Sequence, residues 1–474
     1  ADLVFINAEI KTMDKKQPAA QAIAVKDGKI IAVGANAEIQ RLINAETKTI
    51  DAKGKLILPG FNDSHVHFFS VGAQFFFADL KNARTPQEII EKIKYHAAFL
   101  PKGNWITGGF QAKDDLFLKI MPSKDLIDAV TPEHPVLLYI KGVEIIFANS
   151  AALKIAGADK FDADSKATGI LRGSAAELIR RAVPANITGD KAKVLETATN
   201  YVASVGVTSV QDVHLDDIYY LMRQIAQQGK LKNRLYDCIS LSNWKQLENR
   251  RIKRATGDAM IRQGCVKYFS DGNRESINEL SETIISADKA DIQVMMHAIG
   301  GESNDIVLSV FENVLQQNGE KDRRFRIEHA YNFKPQDLRR FTATKTIASM
   351  QPYLFFNRSG SDSRLFRQML DAKAFLAFGS DANIIEMNPL LGIYAAVFGA
   401  NSGNGMTVEE AVRAYTLDAA YAEFQENVKG SLTVGKLADF VILSENIFTV
   451  NPSRIEKAKV LQTIMNGQIV YTAE

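Results

Sequence analysis

Residues 59–68 read PGFNDSHVHF and directly follow the apolar run Leu56-Ile57-Leu58. The run predicts a buried strand that reaches a Pro-Gly break, after which the chain carries His65 and His67. Successive side chains of a strand point to opposite faces, so two histidines at this spacing leave the chain on the same face. A lone H-x-H pair is more often a chance or surface feature than a metal site, but two imidazoles on one face are what two ligands of one ion require.

Downstream of Asp190, helical and strand patterns alternate along the chain. Counting the strand around Leu56, eight apolar segments that end in turn residues alternate with helical patterns. The strand segments are residues 56–61, 207–212, 234–241, 265–272, 292–300, 324–330, 346–352 and 375–382. This alternation indicates a parallel sheet, and eight units indicate an α/β fold of the (β/α)8 TIM barrel class.

Both ends of the chain have the composition of short strands. Hairpin signals, Asp27-Gly28 and Asn466-Gly467, lie between alternating runs at the two ends. We therefore expect one small β-sandwich built from both termini, and a mixed helix and strand insertion that forms a lid or side wall. The expected boundaries are residues 1–56 and 430–474 for the sandwich, 57–429 for the barrel, and about 75–184 for the insertion within it.

The composition is that of an ordinary soluble protein. The 474 residues are 46% hydrophobic and 24% charged, and a net charge of +2 gives no basic face for nucleic acid. No stretch is apolar enough to span a membrane, which predicts a soluble chain. Because the chain starts at Ala1 rather than Met, removal of a signal peptide is one reading, so cytoplasmic, periplasmic and secreted locations stay open, as does homo-oligomerisation. Cys238 and Cys265 are expected to be reduced core residues.

Chemistry in such barrels is located at the carboxyl ends of the strands. Four of the seven histidines fall at predicted strand ends, together with one lysine and one aspartate. The candidate ligands are His65, His67, Lys267, His297, His329 and Asp381. Imidazoles and a carboxylate that converge on one site suit Zn, or a related ion such as Mn, Fe or Co.

Lys267 is an unusual member of this set, because an ammonium group has no lone pair to offer a metal. Carboxylation by carbon dioxide would convert its amine to an anionic carbamate with two oxygen ligands, able to bridge two ions. A salt bridge to Asp381 or Asp271 is the simpler alternative. Cys265, two residues earlier on the same strand face, could supply a thiolate ligand instead of the carbamate.

The order of several motifs resembles that of a known family. They are PGFNDSHVHF, VKYFSDG, HAIG, RIEHA, SMQP, GSDA, NPLLGIYAAV and GSLTVGKLADFVIL, and they span almost the whole chain. The chain is similar to the amidohydrolase superfamily, in particular its YtcJ-like amidohydrolase family 3 branch. The resemblance implies a (β/α)8 barrel with a composite β-sandwich.

The resemblance also implies roles for the candidate ligands. By motif position, His65 and His67 would bind one metal, and His297 and His329 the other. Lys267 would be the bridging carbamate, which makes a binuclear centre. Asp381 would be both a ligand and the catalytic proton carrier.

This site predicts a metal-dependent hydrolase acting on carbon–nitrogen bonds other than peptide bonds. Hydroxide activated by the metal would attack the carbonyl carbon of a small amide, N-acyl or N-formyl compound, and Asp381 would pass the proton to the leaving nitrogen. A cyclic-amide hydrolase or deaminase, and an esterase or lactonase, could use the same site. A binding or regulatory relative without catalysis is a further alternative.

The departures from the family pattern fall among residues that are expected to line the substrate-binding pocket, and none of them is a candidate metal ligand. Glu144 stands where a histidine is common, Gly301-Glu302 follows HAIG in place of an acidic and a basic residue, and Gly173 replaces a common glutamate. The candidate substrate contacts are His214, Glu144 and Trp105, although His214 could equally be a surface or core residue and a tryptophan is more often part of the core. Asp63 is expected to support the metal site through hydrogen bonds to its loop.

Overall fold

A computed structural model of the chain describes most of its residues. These are residues 1–80, 83–98, 100, 102–110, 119–140, 145–184, 190–213, 218–268, 277–359, 364–382, 384–398 and 405–473. The chain divides into two compact units, one formed by Ala1–Ser70 with Ala198–Glu474 and the other by Val71–Thr197.

Eight parallel strands form a nearly closed barrel, which confirms the predicted fold class. Each strand pairs with the next in chain order, and a parallel bridge between Val66 and Ala382 joins the last strand region to the first strand. The barrel strands 1 to 8 are Phe61–Val66, Val207–Val213, Arg234–Ser240, Ile261–Tyr268, Gln293–Ile299, Arg326–Tyr331, Ile347–Met350 and Phe375–Phe378. A short strand, Thr256–Gly257, pairs antiparallel with barrel strand 4.

The first barrel strand begins later than the sequence pattern predicts. The apolar run lies in a separate strand, Leu56–Pro59, which pairs with Glu9–Lys11 and Phe440–Leu443 in another sheet. Gly60 separates the two strands, and a side chain there would collide with Thr208 of barrel strand 2. The Pro-Gly break is therefore the passage between two sheets, and His65 lies inside a barrel strand rather than behind one.

Helices follow most barrel strands and surround the barrel. They are Phe68–Ala73, Lys191–Ser204, Tyr219–Gln227, Trp244–Asn249, Ile277–Lys289, Gly301–Asn318, Asp337–Ala343, Pro352–Ser359, Arg364–Asp371, Pro389–Phe398, Val408–Ala414 and Leu417–Ala422, with 3-10 turns at Leu241–Asn243 and Pro452–Lys457. Among the described residues, no helix has both the length and the apolar character needed to cross a membrane.

The chain ends form two further sheets. The four-stranded sheet has the order Lys29–Gly34, Ala22–Lys26, Leu3–Ile6 and Lys48–Asp51, with the short helix Asn36–Ile39 and the 3-10 turn Gln40–Leu42 after its first hairpin. The six-stranded sheet has the order Gln468–Thr472, Val460–Met465, Phe440–Leu443, Leu56–Pro59, Glu9–Lys11 and Ala19–Ala20. Residues from both ends share one hydrophobic cluster, in which the rings of Phe5 and Phe440 meet edge to face at 5.3 Å. The exact domain boundaries stay a prediction.

Both predicted hairpin turns are present. Lys26 pairs with Lys29, and Met465 pairs with Gln468, so each turn has two residues. All four turn residues have positive φ angles, between 50° and 72°, which explains the preference for Asp-Gly and Asn-Gly there.

The second unit, Val71–Thr197, has a sheet of its own. Its five strands are ordered Ile170–Leu171, Ile146–Ala148, Val136–Ile140, Ile106–Phe110 and Ala78–Asp79. Its helices are Pro86–Ala97, Lys124–Val130, Ser150–Ala156, Ala163–Thr168 and Gly173–Ala182, with 3-10 turns at Gln74–Phe76 and Ala158–Lys160. The unit falls in the region where an inserted segment of mixed structure is predicted.

The expectation that Cys238 and Cys265 are reduced is wrong, because a disulfide joins them. They lie opposite each other on barrel strands 3 and 4, with their Cα atoms 4.7 Å apart, inside the range that a disulfide requires. The pairing of these strands skips Gly264, which brings Cys265 opposite Cys238. The same bond removes the free thiolate that the alternative Cys265 ligand would need.

Candidate metal centre

Three of the predicted ligands form one compact group. His65, His67 and Asp381 each offer one ligand atom, and these atoms all lie within 4.8 Å of one another. Nε2 of His65 is 3.5 Å from Oδ1 of Asp381, and Nε2 of His67 is 3.3 Å from the same oxygen. His65 is buried, whereas the His67 side chain is 26% exposed and so reaches the open end of the site.

The other predicted ligands lie beside this group. The rings of His329 and His297 are 4.5 Å apart, and the rings of His329 and His65 are 5.0 Å apart. Lys267 is buried on barrel strand 4, and its charge acts on all three of these imidazoles. All six residues therefore surround one region of the barrel, although their roles as ligands stay predictions.

The backbone is unusual at two of these strand ends. His329, Ala330 and Asp381 have φ angles of 74°, 50° and 57°, a region that residues other than glycine seldom adopt. The pairing of barrel strands 5 and 6 also skips Ala330. Backbone of this kind is concentrated at functional sites, where it directs a side chain that a regular strand would place elsewhere.

Hydrogen bonds fix three of the rings. Nδ1 of His67 is 2.6 Å from the Val213 carbonyl oxygen, Nδ1 of His65 is 2.5 Å from Oε2 of Glu328, and Nδ1 of His329 is 2.7 Å from Oε1 of Gln351. Each of these oxygens only accepts, so each Nδ1 carries the proton and donates. In a neutral ring the lone pair is then on Nε2, the atom that a metal would bind.

Burial favours the neutral form of His65, His297 and His329, whereas at His67 the hydrogen bond with Asp381 and the charge of Asp381 outweigh burial and raise the pKa. Burial, followed by the positive charge of Lys267, lowers the pKa of His297 to about 4. Burial, followed by the charge of His65, lowers the pKa of His329 well below its ordinary value. Neutral imidazoles can act as ligands, because a protonated ring has no free lone pair.

Asp381 and Lys267 have shifted pKa values for opposite reasons. Burial disfavours the charge of Asp381, but the hydrogen bond with His67 and the charge of His65 outweigh it and hold the carboxyl pKa below its ordinary value. Burial lowers the pKa of Lys267 to about 8, although the charges of Glu328 and Asp381 act in the other direction.

Asp63 makes hydrogen bonds to the backbone beside the candidate ligands, and its support of a metal site stays a prediction. Its Oδ1 accepts from the backbone N–H of His65 at 3.1 Å and of Ser380 at 3.0 Å, which joins barrel strand 1 to the segment after barrel strand 8. Burial raises its pKa to about 7. Asp212 has a similar role. Its Oδ1 accepts from the backbone N–H of Phe68 at 2.8 Å, which fixes the position of the backbone directly after His67.

The sequence interpretation missed Glu328 and Gln351. Glu328 is fully buried in barrel strand 6, two residues after Arg326, which is also fully buried. Two opposite charges at alternate positions inside a strand predicted to be buried are the signal that could have identified this pair.

The candidate substrate residues are less informative. His214 and Glu144 lie outside the described residues, as does Asp271, the alternative partner of Lys267. Trp105 is buried in a hydrophobic cluster of the second unit with Leu137 and Phe161, the environment expected of a core tryptophan. A contact between Trp105 and substrate stays a prediction.

The donor set fits a divalent transition metal. Neutral imidazole nitrogens and an ionised carboxylate are ligands of zinc and of related ions, and the closest three donors converge within the spacing that one ion spans. Each hydrogen-bonded ring also has the outer partner that metal-binding histidines usually have.

Comparison with known proteins agrees with this geometry. A sequence model of the amidohydrolase family matches residues 48–471. Protein LONG AFTER FAR-RED 3 of Arabidopsis thaliana is 30% identical, over 99% of this chain and 92% of its own. N-substituted formamide deformylase of Arthrobacter pascens is 26% identical, over 99% of this chain and 98% of its own. The crystal structure of an uncharacterized metal-dependent hydrolase from Pyrococcus furiosus, 23% identical, has the same fold, with a TM-score of 0.73 over 94% of this chain and 100% of that chain.

These matches confirm the resemblance inferred from the motifs. They also confirm the predicted class of enzyme, a hydrolase acting on carbon–nitrogen bonds. The chain belongs to the amidohydrolase family.

Proposed function

We propose that this hydrolase cleaves the amide, N-acyl or N-formyl bond of a small molecule. The observation that carries the proposal is the convergence of His65, His67 and Asp381 at the carboxyl ends of barrel strands, in a chain of the amidohydrolase family. The name of the Arthrobacter pascens relative supports the choice of bond, since that protein is a deformylase of N-substituted formamides.

Six residues would hold the metal. His65, His67 and Asp381 would bind one divalent ion, zinc by the chemistry of the donors, and His297 and His329 a second one. Lys267, carboxylated to a carbamate, would lie between the two. When bound, such ions supply a Lewis acid for the carbonyl oxygen and lower the pKa of water.

Asp381 would carry the proton. Its side chain is 11% exposed, so its carboxylate can meet a substrate at the mouth of the barrel. Its depressed pKa keeps it ionised at neutral pH, the form that can accept a proton from the attacking water. It would return that proton to the nitrogen as the carbon–nitrogen bond breaks, which releases an amine and a carboxylic acid.

Product analysis tests the proposal. Protein loaded with zinc is incubated with N-formyl amines, N-acyl amines, cyclic amides, aminated heterocycles and esters, and the products are separated by liquid chromatography. We expect a primary amine and an acid in equal amounts from the first two groups, with loss of turnover on chelation and recovery on return of zinc. Turnover restricted to esters, release of ammonia alone, or no turnover of any compound by the metal-loaded protein would contradict it.

A further inference from the structure

Arg326 and Glu328 form a buried ion pair inside the barrel. Both are fully buried and face the barrel interior from alternate positions of strand 6. Nε of Arg326 donates to Oε1 of Glu328 at 2.7 Å, and Nη2 donates to Oε2 at 3.0 Å. A buried pair of this kind costs desolvation free energy and is weak evidence for a role in stability alone. Its further contacts indicate what else it does.

The guanidinium is anchored on several strands. Nη2 of Arg326 also donates to the Ser64 carbonyl oxygen of barrel strand 1 and to Oγ of Ser349 on barrel strand 7, the latter at 3.0 Å. Nη1 donates to Oε1 of Gln211 on barrel strand 2. Because strands 1, 2, 6 and 7 all contribute, the guanidinium has a fixed position, and so has the carboxylate that it holds.

The Glu328 carboxylate in turn fixes the orientation of the His65 ring. Oε2 of Glu328 accepts from Nδ1 of His65 at 2.5 Å, on the side of the ring opposite Nε2. Nε2 then faces Asp381, the other member of the candidate metal group. Both carboxylate oxygens are in use, one for Arg326 and one shared by Arg326 and His65.

We propose that Arg326 and Glu328 are positioning residues that hold His65 with its proton on Nδ1 and its lone pair aimed at the metal. The inference rests on the proposed metal site and adds an outer layer to it. Glu328 sets the ring orientation and tautomer, and Arg326 sets the position of Glu328. Neither residue touches the metal or the substrate.

Metal affinity tests this proposal without reference to turnover. In the variant Glu328→Gln, an NH2 group replaces one carboxylate oxygen and must face either Nε of Arg326 or Nδ1 of His65, so one of these donors loses its acceptor. We expect its zinc affinity, measured by competition with a chromophoric chelator, to fall roughly 10- to 100-fold. The absorption spectrum of the cobalt-substituted protein should also change, because the ligand field depends on the orientation of His65.

A matched control separates positioning from stability. Asp439 pairs with Arg234 in the same two-point manner, at 2.6 and 2.8 Å, and both side chains are buried, so Asp439→Asn removes a comparable ion pair away from the candidate metal group. We expect this variant to keep the zinc affinity and cobalt spectrum of the wild type. An equal loss of affinity in both variants would overturn the proposal, as would an unchanged affinity in Glu328→Gln.

A double variant covers the case in which Glu328→Gln does not fold. Arg326→Met with Glu328→Met removes both charges, so no buried charge is left unpaired, and it also removes the acceptor of Nδ1 of His65. We expect it to fold and to bind zinc as weakly as the single variant, and affinity at the wild-type level would overturn the proposal. Failure of the wild-type protein to bind metal would instead contradict the proposed function, so the two failures are distinguishable.

Discussion

The nitrogen that each histidine offers to a metal is decided by the partner on the far side of its ring. Nδ1 of His65 donates to a carboxylate oxygen, Nδ1 of His67 to a backbone carbonyl oxygen, and Nδ1 of His329 to a side-chain amide oxygen. At His297, burial and the charge of Lys267 lower the pKa to about 4. At neutral pH it is therefore an uncharged ligand candidate that needs no proton release before it binds an ion.

We expect His297→Ala to abolish hydrolysis, with a loss of ~10²-fold or more in turnover, because the second ion loses a ligand. The protein should still fold, since the ring is only partly buried and leaves a small cavity. Steady-state kinetics and circular dichroism measure the two effects. His96→Ala is the control, because that histidine lies on the helix Pro86–Ala97 and is not a candidate ligand. Wild-type turnover in His297→Ala would remove this residue from the site.

Strand pairing explains two features of the elements. The run Leu56–Pro59 is as apolar as a barrel strand, but its partners are strands from the two ends of the chain. The disulfide depends on the skipped Gly264, which sets Cys265 opposite Cys238. Neither feature could be inferred from local sequence, because both depend on which residues face each other across strands.

We expect reduction of the disulfide to destabilise the barrel. The two cysteines are 27 residues apart. In the chain-entropy account, a disulfide that closes a loop of this length lowers the entropy of the unfolded chain and so raises the free energy of unfolding by roughly 3 to 4 kcal/mol. Urea unfolding with and without reductant should show this difference. A variant with both cysteines replaced by serine should show no response to reductant. Alkylation of two free thiols in the native, unreduced protein would contradict the disulfide.

Buried charges connect distant parts of the first compact unit. Glu423 accepts from Asn62 of barrel strand 1 at 2.6 Å, pairs with Lys429 at 2.7 Å, and pairs with Arg262 of barrel strand 4. Lys429 lies where the chain leaves the barrel for the C-terminal strands. A separate pair, Arg234 with Asp439, joins barrel strand 3 to the residue before the strand Phe440–Leu443.

We expect Glu423→Gln to lower the free energy of unfolding by about 3 to 5 kcal/mol, because two buried cations lose their countercharge. Urea unfolding of the metal-free protein measures the change. The control is Glu177→Gln, which removes an exposed pair with Arg181 and should cost about 0 to 1 kcal/mol. Similar effects of the two substitutions would show that the Glu423 network adds no special stability.

The barrel and the group of candidate ligands could be predicted because both are visible in short stretches of the sequence. Alternating helices and strands give the barrel, and polar residues at strand ends give His65, His67, His297, His329 and Asp381. The ion pair of Arg326 and Glu328 was missed, since its partners come from three other strands spread over most of the chain.

The most direct test of the proposed site is the metal content of protein purified without chelators, measured by elemental analysis together with the intact mass under conditions that preserve a carbamate. We predict about two equivalents of zinc or a related divalent ion per chain, with a mass increase of one carbon dioxide at Lys267. One equivalent without the mass increase would contradict the bridged binuclear centre. No bound metal, even after reconstitution, would contradict the metal-dependent hydrolase itself.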